Sequence, residues 1–215
     1  MIFARLGDPG PFTDYRSYKR HLQPEFCRVC AYCEVPDGYY KTDEIFGVEH
    51  FRPKKHFPEL DCQYENLYYC CNACNRFKGA LWPTEDDILS GRRFVDPCIE
   101  DLYASHVSPT TNDELDALTV TGTFVLGVIK LNRKSLVNYR RRREQAGVAL
   151  LRLKDLFAEC RARALALNLD EEARKFAETT AATLGEMVVE ADRAFLEAYQ
   201  RKCPSPNSDL SAMKP

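Results

Sequence analysis

The apolar pattern divides the chain near Phe124. Beyond it, Leu131, Leu136, Val137 and Tyr139 begin a helical period. Val148, Leu151, Leu153, Leu156 and Phe157 continue it, with Arg and Glu between them. Asn168-Leu169-Asp170 interrupts, and Asp170 followed by Glu171-Glu172 reads as an N-cap with acids in the first turn. A further helix is predicted from about Glu171 to Gln200, with Phe176, Leu184, Val188, Phe195 and Leu196 on its apolar side. No proline falls between Gly122 and Cys203, as long helices require. The helical region is therefore set at 123–203, and the tail 204–215, PSPNSDLSAMKP, is predicted disordered. Before Phe124 the pattern is short and broken. Residues 1–26 are rich in Pro, Gly and aromatics, with room for a short helix around Asp14–Leu22. Residues 27–95 are interrupted by Gly and Pro and hold most of the Cys and Tyr. Residues 96–122 read as a connector of loops with at most short strands.

Composition adds limits. Apolar residues make up 45% of the 215, enough for a core, so global disorder is excluded. No window approaches the length of uncharged apolar sequence that spans a bilayer, and MIFARLGDPG lacks the basic start and apolar run of an export signal. The net charge of −2 argues against a protein that coats DNA by electrostatics alone. It hides an uneven spread: residues 96–129 hold six acids and no Lys or Arg, whereas 130–163 hold 11 basic and three acidic residues. Ten cysteines stand out, seven of them between Cys27 and Cys74. Without an export signal, that reads as reduced thiols and a metal site.

Two CxxC knuckles carry this reading: Cys30-Ala-Tyr-Cys33 and Cys71-Asn-Ala-Cys74. Each places two thiolates on a tight turn, so the pair completes a tetrahedral site for structural Zn²⁺. Redox pairs or free core thiols are the bland alternative. The 37 residues between Cys33 and Cys71 leave room for a small motif. Cys27 overlaps the first knuckle and Cys70 adjoins the second, as outer supports or merely buried thiols. Cys62, Cys98, Cys160 and Cys203 read as small hydrophobes.

Between the knuckles lie Val48-Glu49-His50-Phe51-Arg52-Pro53-Lys54 and Tyr64-Glu65-Asn66-Leu67-Tyr68-Tyr69, followed by Cys71-Asn72-Ala73-Cys74-Asn75-Arg76-Phe77-Lys78-Gly79. In this order the chain resembles the HNH endonuclease family in its zinc-bearing form: CxxC, an acid-His pair, Asn-Leu, then CxxC with Asn and a nearby Lys. The resemblance implies an α+β chain, with a small ββα-metal, treble-clef-like core and a mainly helical C-terminal region. It also implies the chemistry. His50 would be the general base that deprotonates the attacking water, a role suited to its near-neutral pKa. Glu49 and Asn75 would bind a catalytic Mg²⁺ or Mn²⁺ through oxygen. Asn66 would tie the loop between the strands and hold His50 in place. Arg52, Lys54, Arg76 and Lys78 would contact phosphate, and Lys55 crowds the same place. The acid before the histidine is Glu where Asp is more usual, and Asn75 stands where the family name implies His. His50 could instead be a packed core histidine or a zinc ligand. His21 and His56 read as surface or structural, and Glu34, next to Cys33, as a third acid near the metal at most.

Two features extend this. Tyr139-Arg140-Arg141-Arg142-Arg143 points nearly all round a helix, so it reads equally as a solvated face or as a nucleic-acid or partner surface. The segments Phe94-Val95-Asp96-Pro97-Cys98-Ile99-Glu100-Asp101 and Val128-Ile129-Lys130-Leu131-Asn132-Arg133-Lys134-Ser135-Leu136-Val137 resemble those of the HNH subunit of Septu-type anti-phage systems, more loosely than the core does. This resemblance implies a cytoplasmic bacterial effector that cuts DNA and acts with an ATPase partner, or as a homo-oligomer. The competing expectations are a zinc-bound module that binds nucleic acid or protein without catalysis, and an HNH nuclease directed at RNA.

Overall fold

The computed structural model describes residues 2–40, 45–166 and 169–199. The fold is mixed α+β. Residues up to Asn138 form one compact unit, and the helices from Tyr139 form a second. The segments 1–26, 27–95 and 96–122 thus share the first unit. The tail 204–215, Cys203 and Asn168 lie outside the described residues.

The first unit is built on a β-hairpin and one short helix. Strand β1, Phe46–His50, pairs antiparallel with β2, Leu67–Cys71, in the register Phe46 to Cys71 and His50 to Leu67. Alternation puts Phe46, Val48 and His50 on one side and Gly47 and Glu49 on the other. Strand β2 is buried along its whole length, which explains its unbroken apolar sequence. Aromatic rings fill the space around it: Phe46 stacks on Tyr69 at 5.0 Å, and Phe26 and Phe51 meet Tyr68 at 5.3 and 5.2 Å.

The N-terminal segment closes this core. A 3-10 turn at Tyr15–Tyr18, opened by Asp14, leads into helix α1, Lys19–Glu25, close to the predicted span. The Arg5 guanidinium lies over Tyr64 at 4.3 Å and donates to the Leu67 carbonyl at 2.9 Å. Glu25 is buried, accepting from Leu6 N and from the Tyr64 hydroxyl.

Helix α2, Asn72–Lys78, follows β2 directly and ends at Gly79, whose φ of 54° terminates it. Helix α3, Glu85–Leu89, opens with a Thr84–Asp87 capping box. The predicted loop 96–122 holds helix α4, Leu102–Ser105, and the strand pair β3, Val107–Pro109, and β4, Leu115–Ala117. Helix α5, Val120–Ile129, also starts inside it. The β-branched run Thr119-Val120-Thr121 reads as strand, but the Thr119 hydroxyl accepts from Gly122 N at 3.0 Å and caps a helix. Gly122 is required there, because an added Cβ would lie 2.1 Å from the His106 carbonyl oxygen. Asn132 clamps β4 by exchanging two 2.8 Å bonds with the Leu115 backbone.

The second unit is an antiparallel helical hairpin. Helix α6 spans Lys134–Ala166 and α7 spans Glu171–Tyr199. As predicted, the Asp170 carboxylate caps α7, accepting from Ala173 N at 2.8 Å. Tyr139 meets Tyr199, Phe195 covers Gly147, Lys154 pairs with Asp192, and Phe157 covers Gly185. Val148, Leu151, Phe176 and Val189 remain exposed, as do Arg141, Arg142 and Arg143. No helix among the described residues is long and apolar enough to cross a membrane.

Candidate functional site

The two knuckles are brought together by the hairpin. The first is a tight turn flanked by a bridge between Val29 and Pro36, and Ala31 N bonds to the Tyr69 carbonyl at 2.9 Å. The second spans the end of β2 and the first turn of α2. Cys71 therefore precedes the helix without giving it a side-chain cap. The sulfurs of Cys30, Cys33, Cys71 and Cys74 all lie within 4.8 Å of one another, and all four residues are buried. The Cys33 and Cys71 sulfurs are 3.9 Å apart, close to the ~3.8 Å edge of a tetrahedron with Zn–S of about 2.3 Å. The donor set thus fits a structural metal ion such as zinc. Four thiolates around a dication leave a net negative charge, and Arg133 answers it, with Nη2 3.3 Å from the Cys74 sulfur. Cys70, buried, lies 3.7 Å from the Cys30 sulfur and supports the cluster from outside. Cys27 is not one of the four, and it is disulfide-bonded rather than the reduced thiol expected.

Glu49 and His50, adjacent on β1, are parted by strand alternation. Glu49 is 3% exposed, and its Oε1 is 2.6 Å from Nζ of Lys78, which also donates to the His50 carbonyl at 2.9 Å. Tyr32 is its other neighbour, at 3.5 Å. Burial pushes the Glu49 carboxyl up to about 7, against the pull of the Lys78 ammonium. Two expectations change here. Lys78 is not a phosphate-contacting surface cation, because the last turn of α2 lies against β1 and buries it. Glu49 is not a free carboxylate, because Lys78 and Tyr32 both reach its Oε1. Asn75 turns its amide nitrogen towards the Val48 carbonyl at 3.5 Å. A cation bound at Glu49 and Asn75 would therefore compete with Lys78 for the Glu49 carboxylate.

This pair yields a stability prediction. Lys78→Met leaves a carboxyl buried without its cation, and should cost about 3–5 kcal/mol. Glu49→Leu in the same chain should recover most of that. Urea unfolding of both variants measures it, and an unchanged midpoint in Lys78→Met would show the ion pair to be dispensable.

His50 faces a different cluster. Its Nε2 is 2.9 Å from the Asp61 carbonyl oxygen and 2.9 Å from Asp61 Oδ1. A carbonyl can only accept, so Nε2 carries the proton and Nδ1 keeps the lone pair. Tyr15 packs edge-on against the imidazole at 4.6 Å. Lys54 Nζ lies 3.4 Å from Asp61 Oδ1 and over the Tyr15 ring at 4.4 Å. Burial lowers the His50 pKa, and Asp61 opposes the shift. Neither Asp61 nor Tyr15 was foreseen. An acid between the Glu-His pair and Asn66 could have suggested the first, but nothing in the sequence points to Tyr15.

Asn66 sits where expected, between the strands. Its Oδ1 accepts from Arg52 N at 2.8 Å, and its Nδ2 donates to the carbonyls of Arg52 and Leu60 at 3.0 and 3.3 Å. It clamps the turn that follows His50 to the turn that precedes β2. Asn66→Ala should cost about 1–3 kcal/mol by leaving these backbone groups unpaired. It should also raise amide exchange at Arg52, which hydrogen-exchange NMR would detect. Unaltered exchange there would remove Asn66 from any positioning role.

Compared with known protein families, curated proteins and solved structures, the chain matches none. Arg52, Lys54 and Arg76 are exposed, and Arg52 and Lys54 belong to the turn that leaves His50. His56 bonds to the Ala80 carbonyl, and His21 stacks against Phe12.

Proposed function

We propose that the chain is a zinc-stitched nuclease of the HNH type that hydrolyses phosphodiester bonds in DNA. The observation that carries this reading is His50 at the end of β1, its Nε2 proton held by the Asp61 carbonyl and its Nδ1 lone pair left as a base. The order of β1, β2 and α2, with a buried four-cysteine cluster at their junction, is the arrangement the resemblance implies. His50 Nδ1 takes a proton from water as its oxygen attacks phosphorus. The bond to the 3′ oxygen breaks, that oxygen takes a proton from solvent, and the product carries a 5′ phosphate. Lys54 and Arg52 offset charge on the phosphate. Zinc in the cluster supplies structure only.

The looser resemblance supports a defence effector delivered by an ATPase partner. The exposed Leu151, Phe176 and Val189 of the α6–α7 hairpin support a partner or second copy. One observation favours a second reading, a zinc-bound binding module: Glu49 Oε1 is held by Lys78. Cleavage of plasmid, single-stranded DNA and RNA with Mg²⁺ or Mn²⁺ added, beside His50→Ala, separates these. Cleavage lost in the variant supports hydrolysis at this site, and RNA cut in preference to DNA reassigns the substrate. No cleavage by either protein, with DNA retained, favours the binding module.

A further inference from the structure

A cavity of about 310 Å³ opens beside the proposed phosphate site. Phe51, Trp82, Ile88, Phe94 and Ile99 are among the residues that line it, with Arg52 at its edge. Phe51 and Arg52 are the two residues after His50, so the cavity adjoins the turn that carries the base. The Trp82 indole is fixed by its neighbours: Phe51 and Phe57 meet it edge-on at 5.4 and 5.8 Å, and Phe94 lies nearly parallel at 6.2 Å. The Arg52 guanidinium lies 5.8 Å from the Trp82 ring centre and 5.7 Å from that of Phe57. Among the described residues it forms no ion pair. The cavity's other charges are engaged: Arg93 pairs with Glu100 at 2.7 Å, and Asp96 accepts from Cys98 N at 2.8 Å.

We infer that this cavity receives one unpaired nucleobase of a single-stranded nucleic acid, stacked on Trp82, while Arg52 takes the adjoining phosphate. The inference rests on the nuclease reading for its place in the substrate, but the surfaces argue for themselves. An apolar aromatic wall with an unpaired guanidinium at its rim matches the two halves of a nucleotide. The volume lies at the small end of the ~300–1,000 Å³ typical of small-ligand pockets, so it admits one base. A base in a duplex is stacked on both faces and must be extruded to enter, so an intact duplex binds more weakly.

Trp82 is the only tryptophan, so its fluorescence reports on the cavity alone. The full chain is titrated with single-stranded oligothymidylate, an abasic strand of equal length, and the matching duplex, without added divalent cation. Saturable quenching by oligothymidylate is expected, with affinity about tenfold or more above that for the abasic strand and the duplex. Ile99→Glu, at an exposed position on the cavity, should weaken oligothymidylate by about tenfold and leave the melting temperature unchanged. Quenching without any cleavage activity would keep the cavity's role and remove hydrolysis. Cleavage of single strands without quenching would do the reverse. Equal quenching by abasic strand or duplex overturns the inference, and no quenching by any of the three leaves the cavity to an apolar side chain of a protein partner.

Discussion

Stripping the metal from Cys30, Cys33, Cys71 and Cys74 is expected to unfold the first unit rather than loosen it. Structural zinc in small domains contributes an apparent ~10–16 kcal/mol, and whole domains are stable by only about 5–15 kcal/mol. The metal term therefore decides the outcome. The four sulfurs join the turn at 30–33, the end of β2 and the start of α2, and the two strands of the hairpin have only each other to replace that link. The purified chain should carry one zinc per molecule by elemental analysis. A strong chelator should abolish its near-ultraviolet dichroism and expose Trp82. Cys33→Ser or Cys71→Ser should reproduce the effect, whereas Cys160→Ser, at an exposed position of α6, should not. A metal-free chain melting at the same temperature would sink the assignment.

Replacing His50 by Ala should lower the rate of DNA cleavage by about 10²–10⁴-fold, the range for removing a general base. Substrate affinity should change little, because Arg52 and Lys54 remain. The pH profile carries a second mark. Burial holds the His50 pKa below that of a free imidazole, which favours the neutral, basic form. The acid limb of the activity profile should therefore lie at lower pH than a solvent-exposed histidine would give. Asp61→Asn keeps the backbone carbonyl that fixes the tautomer but removes the carboxylate that opposes the shift, so the acid limb should move lower still. A limb that stays in place would separate Asp61 from the base, and equal cleavage by wild type and His50→Ala would place the chemistry elsewhere.

The helices and the knuckles were legible because their signals are local. Capping at Asp170 and the apolar period of 171–199 act within one or two turns, and CxxC spacing names its ligands without reference to the fold. The start of α5 was missed because one hydroxyl, that of Thr119, outweighs a β-branched run. Lys78 was misread for a reason of distance along the chain. Nothing in its neighbourhood reveals that Glu49, 29 residues earlier, lies against it, and a Lys at the end of a short helix ordinarily faces water. Asp61 and Tyr15 meet His50 from segments 11 and 35 residues away, so only the folded chain could introduce them.

The two sides of β1 carry opposite electrical demands. One offers Glu49 an ammonium, and the other offers His50 a carboxylate and a carbonyl. A slip of one residue would present either an imidazole to Lys78 or a carboxylate to Asp61, depending on its direction, so one side would always reject its new occupant. The strand is keyed like a plug with two unlike pins. A single residue inserted between Gly47 and Glu49 turns both side chains to the wrong face, Glu49 towards Asp61 and His50 away from it.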